Sequence, residues 1–225
     1  IQDGIINTWI EGNLVGSGAG AFSDPGAGLR TGGAGVYVNG ADDGTIQNNL
    51  IGYTVYGGVY ITGLAVGSTG WLIENNEIRR NGIGTNNFDG LAVEDLAGSV
   101  TIRGNLIWEN DAVGIDTWDG AGNNIIENNT ITRNGIGSAV TDEIFGMHLG
   151  ADNNTVDRNV IYENYGAAIL VLQNAVGNTI TANSIYDNGT ILNLSGSGPT
   201  GHVGIDLVET GEPQYGVSPY VSAND

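Results

Sequence analysis

Asp116 in GIDTW and His148 in GMHLG each stand two residues after a glycine that opens a short apolar stretch. If these stretches stack in register, Asp116 and His148 become neighbours, a carboxylate beside an imidazole, which is the sharpest enzymatic reading of the sequence. Glu94, Trp118 and Asp119 lie next to the equivalent positions, and Tyr37 and Tyr60 occupy the same position in earlier stretches. Carboxylates, one histidine and aromatic surfaces suit a sugar. Glycoside hydrolysis needs two carboxylates at the right separation. Proton abstraction from a uronate needs a base and a positive charge as well. This set contains no arginine or lysine, so neither side chain supplies that charge. Calcium is compatible, with Asp95 and Asp119 from VEDLAG and DTWDGAGN as the better oxygen pair, although neither stretch has EF-hand spacing. The plainer reading of the same residues is a set of solvated charges and an outward histidine on an acidic strand face.

These positions are equivalent only if the chain repeats. Aligned on Ile-x-x-Asn-x-Ile it reads IEGNLV, IQNNLI, IENNEI, IRGNLI, IENNTI, VDRNVI and ITANSI. The anchors are Asn13, Asn49, Asn76, Asn105, Asn129, Asn159 and Asn183, spaced by 36, 27, 29, 24, 30 and 24 residues. Five residues later a second amide recurs as Asn81, Asn110, Asn134, Asn164 and Asn188, with Gly18 and Thr54 in the first two repeats. Each repeat also carries one stretch of the kind GVYVN, GVYIT, GLAVE, GIDTW, GMHLG, AILVL or GIDLV. Short runs that alternate in and out read as strands. Two or three such strands per repeat, with no helical period, predict an all-β, right-handed parallel β-helix of about seven to eight coils. One domain over 1–225 is expected: an N-terminal coil with a glycine-rich insertion over 1–40, regular coils over 41–210, and a cap or tail over 211–225.

In such a fold equivalent residues of adjacent coils stack about 4.8 Å apart. The anchor asparagines then form a ladder of buried amides that satisfies backbone groups in the turn. Flanking isoleucines such as Ile73, Ile78, Ile126 and Ile131 form the dry core. Charge tests the alignment independently. Arg80, Glu109, Arg133, Glu163 and Asp187 follow the anchors by four residues, and Glu74, Arg103 and Glu127 precede them by two, both columns alternating in sign through most of their length. Opposite charges at strand spacing attract, each pair contributing about 0.2–1 kcal/mol.

The whole chain of 225 residues has 39 glycines, no cysteine, 25 acidic residues and six basic ones, all arginine, for a formal charge of -19. Nucleic acid and anionic membrane are excluded as partners by repulsion, and divalent cations are favoured. No segment has the length and apolarity of a membrane span. No cofactor is required. Four sequons place glycosylation candidates at Asn128, Asn153, Asn188 and Asn193, of which Asn188 belongs to the second ladder and Asn193 lies in the loop TILNLSGSG. The first coil shows no charged lid, so it is expected either to pair with a neighbouring coil or subunit, head to tail, or to be shielded by the insertion between Gly16 and Val36.

The Asn-x-Ile coils resemble the right-handed parallel β-helix repeats of the pectate-lyase-like superfamily. The closing NSIYDNG…GIDLVETG…ND resembles the last coil of large secreted prokaryotic surface proteins. That resemblance implies an extracellular or cell-surface location. It leaves function open among lyases, hydrolases, epimerases, tailspikes, adhesins and structural segments. In its enzymes the site lies on the exposed face of one parallel sheet. Nearly every repeated polar residue here already has a stacking role, so a fibre-forming or adhesive structural module is the first expectation. A carbohydrate-active or glycan-binding face around Asp116 and His148 is the second.

Overall fold

The computed structural model describes residues 1, 4–18, 21–63, 67–84, 88–118, 120–137 and 143–208. They form strands and turns and no helix. Three parallel sheets of seven strands each run the length of the solenoid, and successive strands of one coil go to successive sheets. The first sheet begins with Trp9–Glu11 and ends with Thr179–Thr181, and the second runs from Leu14–Val15 to Ser184–Tyr186. The third contains Val36–Asn39, Val59–Thr62, Leu91–Glu94, Ile115–Thr117, Met147–Leu149, Ile169–Val171 and Ile205–Leu207. These are the glycine-led stretches of the sequence.

Strand register follows the hexapeptide. Ile73 pairs with Ile102 and Ile102 with Ile126, while Ile78 pairs with Ile107 and Ile107 with Ile131. All of these isoleucines are fully buried. Burying each one contributes about 1.5–3 kcal/mol, and stacking identical side chains leaves no gap between layers.

The turn from the first to the second sheet needs one residue in the left-handed region, where Asn48, Asn75 and Asn128 sit at φ 54–55°. Asparagine tolerates that region better than most residues. The anchor that follows does the stapling. Oδ1 of Asn105 accepts from both the backbone N–H and the Nδ2 of Asn76, at 2.9 and 3.0 Å. Its own Nδ2 donates onward to Asn129 Oδ1 and back to the Ile73 carbonyl. The same pattern repeats from Asn13 to Asn183. The second ladder runs through Asn81, Asn110, Asn134, Asn164 and Asn188, and Thr54 Oγ1 donates to Asn81 Oδ1 at 2.8 Å in place of the missing amide. A third ladder, Asn124, Asn154 and Asn178, was not anticipated from the motif. Its signal is an asparagine five residues before each of the last three anchors.

The charge columns form as expected in part. Glu109 bridges Arg80 and Arg133, and Arg133 continues to Glu163. Arg103 pairs with Glu74, but Glu127 is taken by Arg158 of the next coil. The insertion after Gly16 does not shield the first coil. It turns onto the second sheet, where the Phe22 carbonyl accepts from Arg79 and the Phe22 ring packs on Tyr53. Ile6, Trp9 and Leu14 stay exposed. The stretch 211–225, expected as a cap, lies outside the described residues.

Candidate functional site

The third sheet presents its outward column in the expected register: Tyr37, Tyr60, Ala92, Asp116, His148, Leu170 and Asp206 are successive partners. The face is not a row of solvated charges. From Ala92 onward every member is buried, with Asp116 7% and His148 4% exposed. The correction has a packing cause: the His148 ring is flanked by Trp118 at 5.2 Å and Phe145 at 6.3 Å, so the loops after and before these strands fold over the sheet. Among the described residues of this column only the Tyr37 end is open.

Stacking brings Asp116 and His148 together. His148 Nδ1 lies 2.9 Å from Asp116 Oδ1, and Nε2 is buried without a hydrogen-bond partner among the described residues. Given the carboxylate, the favoured tautomer carries its proton on Nδ1 and leaves a lone pair on Nε2.

A third acid completes the group. Asp89, two residues before the strand Leu91–Glu94, is buried, and its Oδ1 accepts from the Val113 N–H at 3.0 Å. Oxygens of Asp89, Glu94 and Asp116 lie within 4.8 Å of one another. Burial pushes the Asp89 carboxyl well above the usual carboxylate range, and the charges of Asp116, Glu143 and Glu94 push it further. Tyr60 donates its hydroxyl to Glu94, and burial followed by that bond raises the phenol. Sequence reading passed over Asp89 because Asp-Gly reads as turn chemistry. Its only signal is that it precedes a glycine-led strand.

At the open end the Tyr37 and Tyr60 rings stack at 5.6 Å and 13°. They line a hollow of about 460 Å³ together with Tyr56 and Phe88. Trp118 borders a second hollow, of about 500 Å³, with Asp152, Asn153 and Leu172. Of the metal pair expected from the sequence, Asp95 and Asp119, only Asp95 lies among the described residues. It accepts from the Thr62 hydroxyl. Among the glycosylation candidates Asn128 and Asn153 are exposed, Asn188 is buried in its ladder, and Asn193 is half-buried with Oδ1 accepting from Ser195 and Ser197.

An all-β solenoid of stacked coils with an acidic, aromatic-edged face is the class that fold and site define. The profile of the family described as "Right handed beta helix region" matches residues 34–213, and the chain belongs to that family. Among solved structures it is similar to the pectate lyase Pel9A, at 20% identity and TM-score 0.54 over 85% of this chain and 53% of that one. It is also similar to ORF18 of Geobacillus virus E2, at 13% and 0.59 over 91% and 41%. A third is the A-module of the Azotobacter vinelandii mannuronan C-5 epimerase AlgE4, at 16% and 0.50 over 94% and 52%. The chain thus spans about half the length of these structures or less, and at such identities the likeness is one of fold. No curated protein matches it.

Proposed function

We propose that the outward face of the third sheet binds a polysaccharide outside the cell and acts on it, with a divalent cation such as calcium held by Asp89, Glu94 and Asp116. The observation that carries this reading is the convergence of three carboxylates within 4.8 Å, two of them, Asp89 and Asp116, buried. A set of hard oxygen donors suits calcium, and a cation would relieve the repulsion that raises Asp89. It would also supply the positive charge that a uronate requires, since no arginine is among the charges acting on Asp89. Asp116 holds His148 in the tautomer whose Nε2 accepts a proton. Tyr60 orients Glu94, and the Tyr37–Tyr60 stack offers a flat apolar surface to a pyranose ring. That a pectate lyase and a mannuronan epimerase have a similar fold is consistent with a carbohydrate-active role.

The test is turnover of pectate, alginate and a neutral glucan, followed by reducing ends, ultraviolet absorbance of unsaturated products and NMR of epimerised residues, with and without chelator. One acidic polymer should be converted, and chelation, Asp116→Asn and His148→Gln should each slow conversion by about 100-fold or more. Calcium titrated into the protein should bind more weakly to Asp116→Asn. Absence of turnover, of polymer binding and of any calcium effect would sink the proposal. The chain would then be left with the fibre-forming or adhesive structural role that its ladders suit.

A further inference from the structure

A further cavity belongs to a different face. On the second sheet the outward column runs Gly52, Arg79 and Trp108. Phe22, from the glycine-rich insertion, fills the space over Gly52, where a Cβ would come within 2.8 Å of its ring. The Arg79 guanidinium lies over the Phe22 ring at 4.5 Å and the Trp108 ring at 5.0 Å. Beside it opens a hollow of about 550 Å³, lined among others by Arg30, Arg79, Arg80, Asp111, Tyr53 and Trp108. That volume falls within the range of small-ligand clefts, about 300–1,000 Å³.

Half of the chain's six arginines meet here, although only Arg80 is placed by a stacking ladder. Two of them keep donors in reserve. Arg30 spends Nε and Nη2 on Asp24, at 3.0 and 2.6 Å, and Arg80 spends the same two atoms on Glu109. Neither Nη1 has a hydrogen-bond partner among the described residues. Asp111 is buried against the cavity. Burial pushes its carboxyl up, opposed by the Gly84 N–H and by Arg80 and Arg30.

These groups define the ligand by what they require. Free guanidinium edges call for an anionic acceptor. Asp24, Glu109 and Asp111 around them would repel a dianion such as phosphate, yet accept hydrogen bonds from neutral hydroxyls. Tyr53 and Trp108 add aromatic surface. A ligand with one carboxylate, several hydroxyls and an apolar ring face meets all three demands.

We propose that this cavity is a second saccharide site, taking one uronate unit whose carboxylate meets Arg30 and Arg80 while its hydroxyls meet Asp111 and its ring lies against Tyr53 and Trp108. The site is independent of the third-sheet reading, since it shares no residue with it.

Calorimetry on the full chain tests this, in chelator and in an Asp116→Asn background so that the first face is disabled. The probes are digalacturonate, its uncharged dimethyl ester and inorganic phosphate. Digalacturonate should bind, and Arg30→Gln and Arg80→Gln should each weaken it about tenfold. The ester should bind at least about tenfold more weakly, and phosphate should not displace the acid. Arg30→Gln alters only a loop ion pair, so it remains informative even where Arg80→Gln disturbs the ladder. No binding, binding indifferent to both arginines, equal affinity for the ester, or displacement by phosphate would each overturn the proposal.

Discussion

The turn between the first and second sheets and the outward face of the third gain differently from stacking. In the turn an uncharged amide recurs in every coil, and each buried Oδ1 receives two donors from the coil before it. On the face the side chains brought together are acids, and Asp89 receives one backbone donor against three neighbouring negative charges. Stacking multiplies the benefit of an amide repeated at one position, whereas the three acids converge from a turn, a strand end and the outward column, so none gains a matching partner from the coil below. The ladder is where this protein stores stability, and the acidic face is where it gives some up. Stability conceded at a cluster of converging groups is a common mark of a working site.

The contrast can be broken most severely in the turn. Asn105→Ala leaves the buried Asn76 N–H without its acceptor and takes one donor from the Ile73 carbonyl, and should cost about 2–4 kcal/mol, read as a lower urea midpoint. An unchanged midpoint would mean that the ladder is incidental.

The face should respond in the other direction. Asp89→Asn keeps the acceptor for Val113 and removes a charge, so in calcium-free buffer at neutral pH it should stabilise by about 1–3 kcal/mol. The sign with pH follows from a carboxyl raised on folding. The native state binds the extra proton, so wild-type stability is full below the unfolded pKa, about 3.9, and falls as pH rises from there towards the raised native value. The gap between wild type and Asp89→Asn should therefore widen with pH and close at acid pH, and added calcium should narrow it for the wild type. A gap independent of pH would remove Asp89 from this account.

The smallest effect belongs to the outer charge columns. Arg103 is 47% exposed in its pair with Glu74 at 2.8 Å, so Arg103→Gln should cost under about 1 kcal/mol and less in high salt. A loss as large as that of Asn105→Ala would make the ion columns, not the amides, the source of register.

Much of the fold was legible because a solenoid turns sequence period directly into vertical contact. The hexapeptide fixed which isoleucines and amides stack, and the glycine-led stretches fixed the pairing of Asp116 with His148. Departures from the motif were harder to read. Thr54 feeds a ladder of amides through a hydroxyl, and Asn124, Asn154 and Asn178 form a column outside the hexapeptide. The charge column carried no hint that Arg80, Glu109 and Arg133, each just before an asparagine of the second ladder, sit at φ 54–55°.

From the sequence alone come the coil, its register and its polarity, because these depend on neighbours at a fixed repeat. Where the variable loops settle was decided only by tertiary packing. Phe145 and Trp118 bury an acid–histidine pair that strand alternation places outside, Asp89 enters from a turn to complete the carboxylates, and Phe22 carries the insertion onto the second sheet to wall the arginine cavity. Loops of unequal length have no periodic partner, so their positions follow from shape and charge across the surface, which no one-dimensional repeat contains.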